Sequence, residues 1–440
     1  HKDMRFSSDT PASRLLRAFL PWMKGRRPDW LLRFGLFGYD HLGGRKTLPA
    51  TKTLYLADGP EGGPLRDHFK KAYEYSDCWV EDSRLVVLNA RDAAERGATI
   101  HTRCEVINAS CKNGVWVIET RNRETGETTH HRARMVVNAA GPWVGEILQS
   151  KLRLNTSDGV RLVRGSHIVT HKLFDHDKSY FFQGEDGRII FAIPYEMDFT
   201  LIGTTDVDHS DSFENPECNE EEKSYLIEFA NKYFKDKISG NDIVWTYSGV
   251  RALYDDRAQN ASAATRDYKL KLDRSAGAPI LNIFGGKITT YRRLAESAME
   301  IINAQLGGHE GVWTAGIPLP GGNFTVSKVE DLIQELKERF AFLSDTWARR
   351  LVRAYGMEAE LVLGSAKFEE DLGRNFGGTL FEAEVLWLMR HEFAMTAEDI
   401  LWRRSKLGLR MTPKQTDDLN GWMASARRKI SSPHTLEDVC

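Results

Sequence analysis

Four places in the sequence carry residue types that can bind a ligand or move a proton. In FGGKITTYR (284–292), Gly285 and Gly286 let a backbone approach a ligand closely, at a strand-to-helix turn where free N–H groups point outward. Lys287 adds a cation there, and Thr289, Thr290 and Tyr291 add hydroxyls. The set suits an anion or a flavin, although ordinary tight turns use the same residues. VVNAAGPW (136–143) places small residues at the carboxyl end of an apolar strand, where α/β folds hold ligands. Any buried strand ending in a tight turn reads the same way. Arg251 in YSGVRAL, Arg266 in ATRDY and Lys287 form a cationic set whose planar arginine forks match phosphate or carboxylate oxygens. Either arginine alone would serve as well in a surface ion pair. His167 in RGSHIVTH can accept a proton at working pH, or sit in a core with its hydrogen bonds satisfied. The polar turn in IGTTDV (202–207) carries no assigned catalytic role.

Bulk composition narrows the partners. Across 440 residues, 60 Lys and Arg nearly cancel 62 Asp and Glu, so the net charge of -2 gives no global reason to expect nucleic acid. The chain is too long for one core, and 41% hydrophobic residues suffice for two or three domains. Its five cysteines (Cys78, Cys104, Cys111, Cys218 and Cys440) form no CxxC pair and are odd in number, which reads as reduced thiols in a cytosolic compartment. They share no zinc-ligand spacing with histidines, so no metal is expected. No secretory signal and no run of 18 apolar residues occurs. Nor is there a GxSxG elbow, a Walker loop, an HExxH or an EF-hand loop.

Local charge is more informative. Between residues 11 and 34, six basic residues (Arg14, Arg17, Lys24, Arg26, Arg27 and Arg33) face the single acid Asp29, with Phe19, Trp22, Trp30 and Phe34 interleaved. Basic heads and aromatic bodies together suit an anionic membrane interface; a solvated helix face with a packed underside is the plainer alternative.

The elements that must position these groups follow from pattern. Residues 77–96 carry a helical spacing stopped by Gly97. Three strands are predicted at 98–110, 114–121 and 128–137, the last running into Ala139–Ala140–Gly141. From 158 to 272 the chain alternates in β fashion, interrupted by a helix over Glu220–Phe234. LNIFGGKITTYRRLAESAMEIINAQL reads as strand, glycine turn and helix, and beyond IPLPGG (317–322) the chain is helical.

Taken in order from about 33 to 410, RFGLFGYDHLGGRKTLP, YEYSDCWVEDSRLVVLNA, VVNAAGPWV, VRLVRGSHIV, IGTTDV, DIVWTYSGVRAL, ATRDY, FGGKITTYRRLAE and LWRRSKLG closely resemble the FAD-dependent, quinone-linked glycerol-3-phosphate dehydrogenases. The resemblance implies a para-hydroxybenzoate-hydroxylase-like, two-domain FAD/NAD(P)-binding α/β fold, incomplete here, with a mixed β substrate domain and a C-terminal helical domain. The expected division is 1–65 as a membrane-proximal segment and the start of the substrate cap, 66–157 and 273–305 as FAD-binding domain, 158–272 as substrate domain and 306–440 as helical domain.

It further implies oxidation of sn-glycerol 3-phosphate to dihydroxyacetone phosphate, with non-covalent FAD and a membrane quinone as acceptors. The location it implies is peripheral, on the cytoplasmic face of the inner membrane at an anionic surface, and a homodimer stays open. Arg251, Arg266, Lys287 and Thr289 would contact substrate, the two arginines chiefly its phosphate. His167 would lie near the C2 hydroxyl, with Lys287 or Arg251 as competing proton acceptors. Gly285, Gly286, Lys287 and Thr289 would line the isoalloxazine, and Glu105, Val106, Ala140 and Gly141 the adenosine side.

The family opens with a strand–GxGxxG–helix unit that cradles the FAD pyrophosphate, and no GxGxxG after a strand occurs in these 440 residues. The chain by itself is therefore expected to hold FAD weakly and to be weakly active or inactive. An oxidase of the same architecture passing electrons to oxygen, and a non-catalytic membrane-associated remnant, are the competing readings.

Overall fold

The computed structural model describes residues 29–42, 49–76, 79–154, 159–184, 188–209, 215–254, 267–309 and 311–430. Arg266 and the basic stretch up to residue 28 lie outside the described residues. The chain divides into two compact units, one of His1–Cys78 with Arg103–Ala315 and one of Trp79–Thr102 with Gly316–Cys440.

In the first unit, helix α1 (Asp29–Leu42) is tied to a two-stranded sheet of β1 (Lys52–Tyr55) and β2 (Lys71–Glu74). Asp29 accepts hydrogen bonds from Lys71 Nζ (2.8 Å) and Tyr73 Oη (2.6 Å), and Tyr39 Oη donates to Ser76 O (2.9 Å). An antiparallel sheet follows, of β3 (Cys104–Lys112), β4 (Val115–Asn122) and β5 (Thr128–Ala133). The strand predicted over 128–137 is in fact two strands in two sheets. The chain leaves the antiparallel sheet after Ala133 and re-enters as β6 (Val136–Asn138), because Val136 and Val137 pair parallel with β14 (Ile280–Phe284), itself paired antiparallel with β13 (Lys269–Asp273). Trp116, Leu148, Ile280 and Phe284 form the core between these sheets, and Trp116 Nε1 donates to Pro279 O (2.9 Å).

A six-stranded sheet positions the polar groups. It comprises β7 (Val160–His171), β8 (Tyr180–Gln183), β9 (Ile189–Tyr195), β10 (Phe199–Gly203), β11 (Val207–Asp208) and β12 (Ile243–Tyr254). Side chains alternate between its faces. One face buries Ile168, Ala192, Ile190 and Ile202 against Leu226, Phe229 and Tyr233 of helix α3 (Glu220–Tyr233). An asparagine starts that helix: Asn219 and Glu222 form a capping box. The other face carries His167, Tyr247 and Arg251. After β14 comes helix α4 (Tyr291–Leu306), stopped by Gly307 in the left-handed region.

The second unit packs helices α5 (Val329–Arg339), α6 (Asp345–Tyr355), α7 (Glu382–His391) and α8 (Pro413–Ile430) around Leu351, Val385, Leu388, Ile400 and Leu419, and helix α2 (Asp82–Glu95) lies against the Asp399–Arg404 segment. The helix predicted over 77–96 starts at Asp82, and it belongs to this unit through Arg84, whose guanidinium is paired with the buried Glu392. The predominantly helical reading omits one short hairpin, Asn375–Gly377 with Leu380–Phe381. Among the described residues no helix is long and apolar enough to cross a membrane.

Candidate functional site

Strand register builds the site. Phe181, Phe191, Gly203, His167 and Tyr247 are successive partners across β8, β9, β10, β7 and β12, so they form one straight row on one face of the sheet. His167 stacks on Tyr247 with ring centroids 4.7 Å apart at 8°. On its other side, a Cβ added to Gly203 would come within 3.0 Å of the imidazole. The glycine leaves the space into which the ring lies.

Arg251 lies two same-face positions beyond Tyr247 along β12, past Gly249. Beneath its guanidinium is Gly165 of β7: a Cβ there would be 2.8 Å from Arg251 Nη2 and 2.7 Å from Thr204 Oγ1. The turn between β10 and β11 runs along the edge of β7 at this point and holds the guanidinium. Arg251 Nη1 is ion-paired with Asp206, and Nη2 donates to Thr204 Oγ1 (3.2 Å). The Arg251 side chain remains 38% exposed, so one part is clamped while another faces solvent. A fixed guanidinium and a stacked imidazole on one sheet face can respectively bind an oxyanion and accept a proton from a hydroxyl.

A second feature adjoins the far end of β12. Strands β6 and β14 run parallel with Asn138 beside Asn282, so their carboxyl ends open on the same side. The turns that follow, Ala139–Ala140–Gly141 and Gly285–Gly286–Lys287, have φ of +56°, +71° and +113° at Gly141, Gly285 and Gly286. At Gly285 any Cβ would meet Asp267 O at 3.0 Å and Tyr254 N at 3.2 Å. That contact sets this turn against the backbone just beyond Arg251, and Gly141–Trp143 also lies against β12. Asn138 is 4% exposed. Its Nδ2 donates to Val144 O and Asn282 Oδ1, both at 3.1 Å, while Oδ1 has no hydrogen-bond partner. Trp143 and Ile288 are exposed nearby in sequence. Glycine backbone at two parallel strand ends, exposed apolar side chains and an unanswered buried acceptor fit a flat heteroaromatic cofactor such as FAD.

The sequence-predicted residues are thus unevenly gathered. His167 and Arg251 share one sheet face, and Ala140, Gly141, Gly285 and Gly286 lie on two adjacent turns. Lys287 and Thr289 are exposed on the second turn. Glu105 and Val106 lie on β3 in the antiparallel sheet, where the Glu105 carboxylate is 3.3 Å from Arg123 Nε and 3.7 Å from Lys151 Nζ. Arg266 cannot be placed, being outside the described residues. Sequence reasoning passed over Thr204, Asp206 and Tyr247. The glycines of RGSH and IGTT were the available signal: each stands where a neighbouring strand's large side chain needs room.

Comparison with known proteins gives this arrangement its family. Residues 25–292 match the FAD dependent oxidoreductase family model, and 312–422 match the C-terminal domain of alpha-glycerophosphate oxidase. The chain is 47% identical over 414 residues to the D-erythritol 1-phosphate dehydrogenase of Brucella abortus, covering 93% of this chain and 82% of that protein. It is 44% identical over 411 residues to the glycerol-3-phosphate dehydrogenase of Pseudomonas aeruginosa, covering 93% of this chain and 79% of the relative. The solved glycerol-3-phosphate dehydrogenase of Bacillus halodurans, complexed with FAD, shares the fold with a TM-score of 0.71 at 24% identity, over 85% of this chain and 75% of that one. The chain belongs to the FAD-dependent oxidoreductase family that includes the glycerol-3-phosphate dehydrogenases.

Proposed function

We propose that the protein oxidises sn-glycerol 3-phosphate to dihydroxyacetone phosphate, with FAD as hydride acceptor and a membrane quinone as final electron acceptor. The observation that carries this reading is the clamped Arg251 guanidinium on the same sheet face as His167. Arg251, with Arg266, takes the phosphate, whose binding energy orients C2. His167 accepts the proton of the C2 hydroxyl, with Lys287 as the competing acceptor. When bound, FAD supplies the two-electron acceptor for the hydride leaving C2. Gly285, Gly286, Lys287 and Thr289 line the isoalloxazine, and Ala140, Gly141, Glu105 and Val106 the adenosine side.

The quinone reading draws support from α1. Trp30, Phe34 and Phe37 recur at helical spacing and are 70%, 67% and 55% exposed, with Arg33 exposed beside them. Such a face suits the headgroup region of an anionic membrane on the cytoplasmic side.

A second substrate, D-erythritol 1-phosphate, is favoured by the 47% identity to the dehydrogenase of that name. It carries the same two handles, a phosphate and an oxidisable hydroxyl. The test is the visible spectrum of the FAD-loaded protein titrated anaerobically with each polyol phosphate. Bleaching of the flavin band by glycerol 3-phosphate at lower concentration supports the first reading, preference for the tetritol the second, and flavin that stays bound yet is bleached by neither sinks both. Re-oxidation by a quinone analogue rather than by oxygen with peroxide release separates dehydrogenase from oxidase.

A further inference from the structure

The turn that holds Arg251 is itself held from below. Thr204 and Asp206 point up to the guanidinium, whereas Thr205 between them is 1% exposed and points into the sheet. There the Thr205 hydroxyl accepts from Ser166 N (2.9 Å) and donates to Glu222 Oε1 (2.7 Å). Glu222, 5% exposed, sits in the first turn of α3. The same Oε1 accepts from Ser166 Oγ (2.9 Å), and that hydroxyl is 2.7 Å from Ser248 Oγ on β12. Glu222 Oε2 accepts from Asn219 N (3.3 Å) and is 3.0 Å from Arg164 Nη2. One buried carboxylate therefore joins the three elements that form the candidate site. Ser166 is the neighbour of both His167 and Gly165, Thr205 lies between the two residues that clamp Arg251, and Ser248 lies three residues before Arg251 on its strand.

We propose that Glu222, acting through Thr205, is the positioning residue that fixes the Thr204–Asp206 turn and so aims Arg251 at the phosphate of the substrate. This rests on the reading of Arg251 as the phosphate ligand. A capping box alone requires Glu222 to bond Asn219, which Oε2 already does; it does not require Oε1 to gather two hydroxyls from the opposite side. Burying a carboxylate is costly unless its lone pairs are answered, and here they are answered by the parts of the sheet whose geometry matters to Arg251. The network is on the opposite side of the sheet from Arg251, so it can act only by holding backbone.

The test uses the full chain loaded with FAD, comparing wild type with Thr205→Val, Thr205→Ser and Glu222→Gln, each alone and on an Arg251→Gln background. Thr205→Val keeps the shape and removes the relay. It is expected to raise KM for glycerol 3-phosphate about tenfold, with kcat within roughly twofold, and Thr205→Ser is expected to restore KM. On the Arg251→Gln background Thr205→Val should add nothing further, because the group it aims is gone. A crystal structure of Thr205→Val should show Arg251 released from Thr204 and Asp206. Unchanged KM in a folded Thr205→Val protein, an equal rise on both backgrounds, or a crystal structure with Arg251 still clamped would overturn the proposal. If Arg251→Gln itself leaves KM unchanged, the phosphate reading of Arg251 fails, and the crystal structure alone then decides whether Glu222 positions it.

Discussion

Gly203 lies beneath the imidazole of His167, at the paired position on the neighbouring strand, and a Cβ there would intrude within 3.0 Å of the ring. Since His167 is stacked on Tyr247 on its other side, the ring cannot yield sideways without leaving that stack. Gly203→Ala should therefore lower kcat by about tenfold to a hundredfold and destabilise the unit by about 1–3 kcal/mol. Gly249→Ala is the control: it shares the sheet face, and its Cβ would meet nothing within 4 Å. Stopped-flow flavin reduction and thermal melting of the two variants check this. Equal kcat in both would remove His167 placement from the reaction.

Gly165 and Gly285 should separate binding from stability. The nearest atoms to an added Cβ at Gly165 belong to side chains, Thr204 Oγ1 and the Arg251 guanidinium, which can shift. Gly165→Ala is thus expected to raise KM several-fold while melting within a few degrees of wild type. At Gly285 the obstacles are backbone atoms, and φ is +71°. Gly285→Ala should cost about 1–3 kcal/mol and weaken FAD retention, read as flavin absorbance after gel filtration.

How much of this was visible beforehand depended on range. The chain showed the residues with reactive groups, His167 and Arg251, since a histidine and an arginine in β segments with small neighbours stand out. Local pattern also gave α3 nearly to its ends, running one residue past Tyr233, while the Asn219–Glu222 capping box that starts it went unread. What stayed hidden was pairing. The row from Phe181 to Tyr247 spans 66 positions of sequence and exists only through strand register. The Thr204–Asp206 turn looked merely structural because its partner Arg251 lies 45 residues away. Strand 128–137 was misdivided for the same reason: β-propensity continues through residues 134–137, and only the distant Ile280–Asn282 segment shows that a second sheet begins there.

In the second unit, the Arg84–Glu392 pair should be a weak point when cut in half. Both side chains are buried, at 7% and 0% exposure, and Arg84 Nη2 also donates to Ala354 O (2.7 Å). Arg404 adds two donors to Glu392 O. Arg84→Ala would leave the Glu392 carboxylate buried without its main partner, with an expected loss of about 3–5 kcal/mol. Arg96→Ala, which removes a solvent-exposed pair with Asp92, should leave stability close to that of wild type. Chemical denaturation of the two variants gives the comparison. Similar midpoints would show that the Arg84 pair is solvated in solution.

Acid should remove the stability that the Glu222 network contributes. Burial pushes this carboxyl's pKa up, but hydrogen bonds from Thr205, Ser166 and Asn219 N, together with Arg164, outweigh it and leave the folded value below the ordinary glutamate range. A carboxyl with a depressed folded pKa binds fewer protons folded than unfolded, so its contribution to stability is complete above the unfolded value, about 4.3, and is lost as pH falls through the folded one. Glu222→Gln cannot titrate at this position. The stability difference between wild type and Glu222→Gln should therefore be constant from about pH 7 to 5 and shrink progressively below about pH 4.3. Urea unfolding across that range, followed by tryptophan fluorescence, measures it. A difference that stays flat down to pH 3 would mean that the carboxylate gains nothing from its partners, and the same result would weaken the case that it holds the turn beneath Arg251.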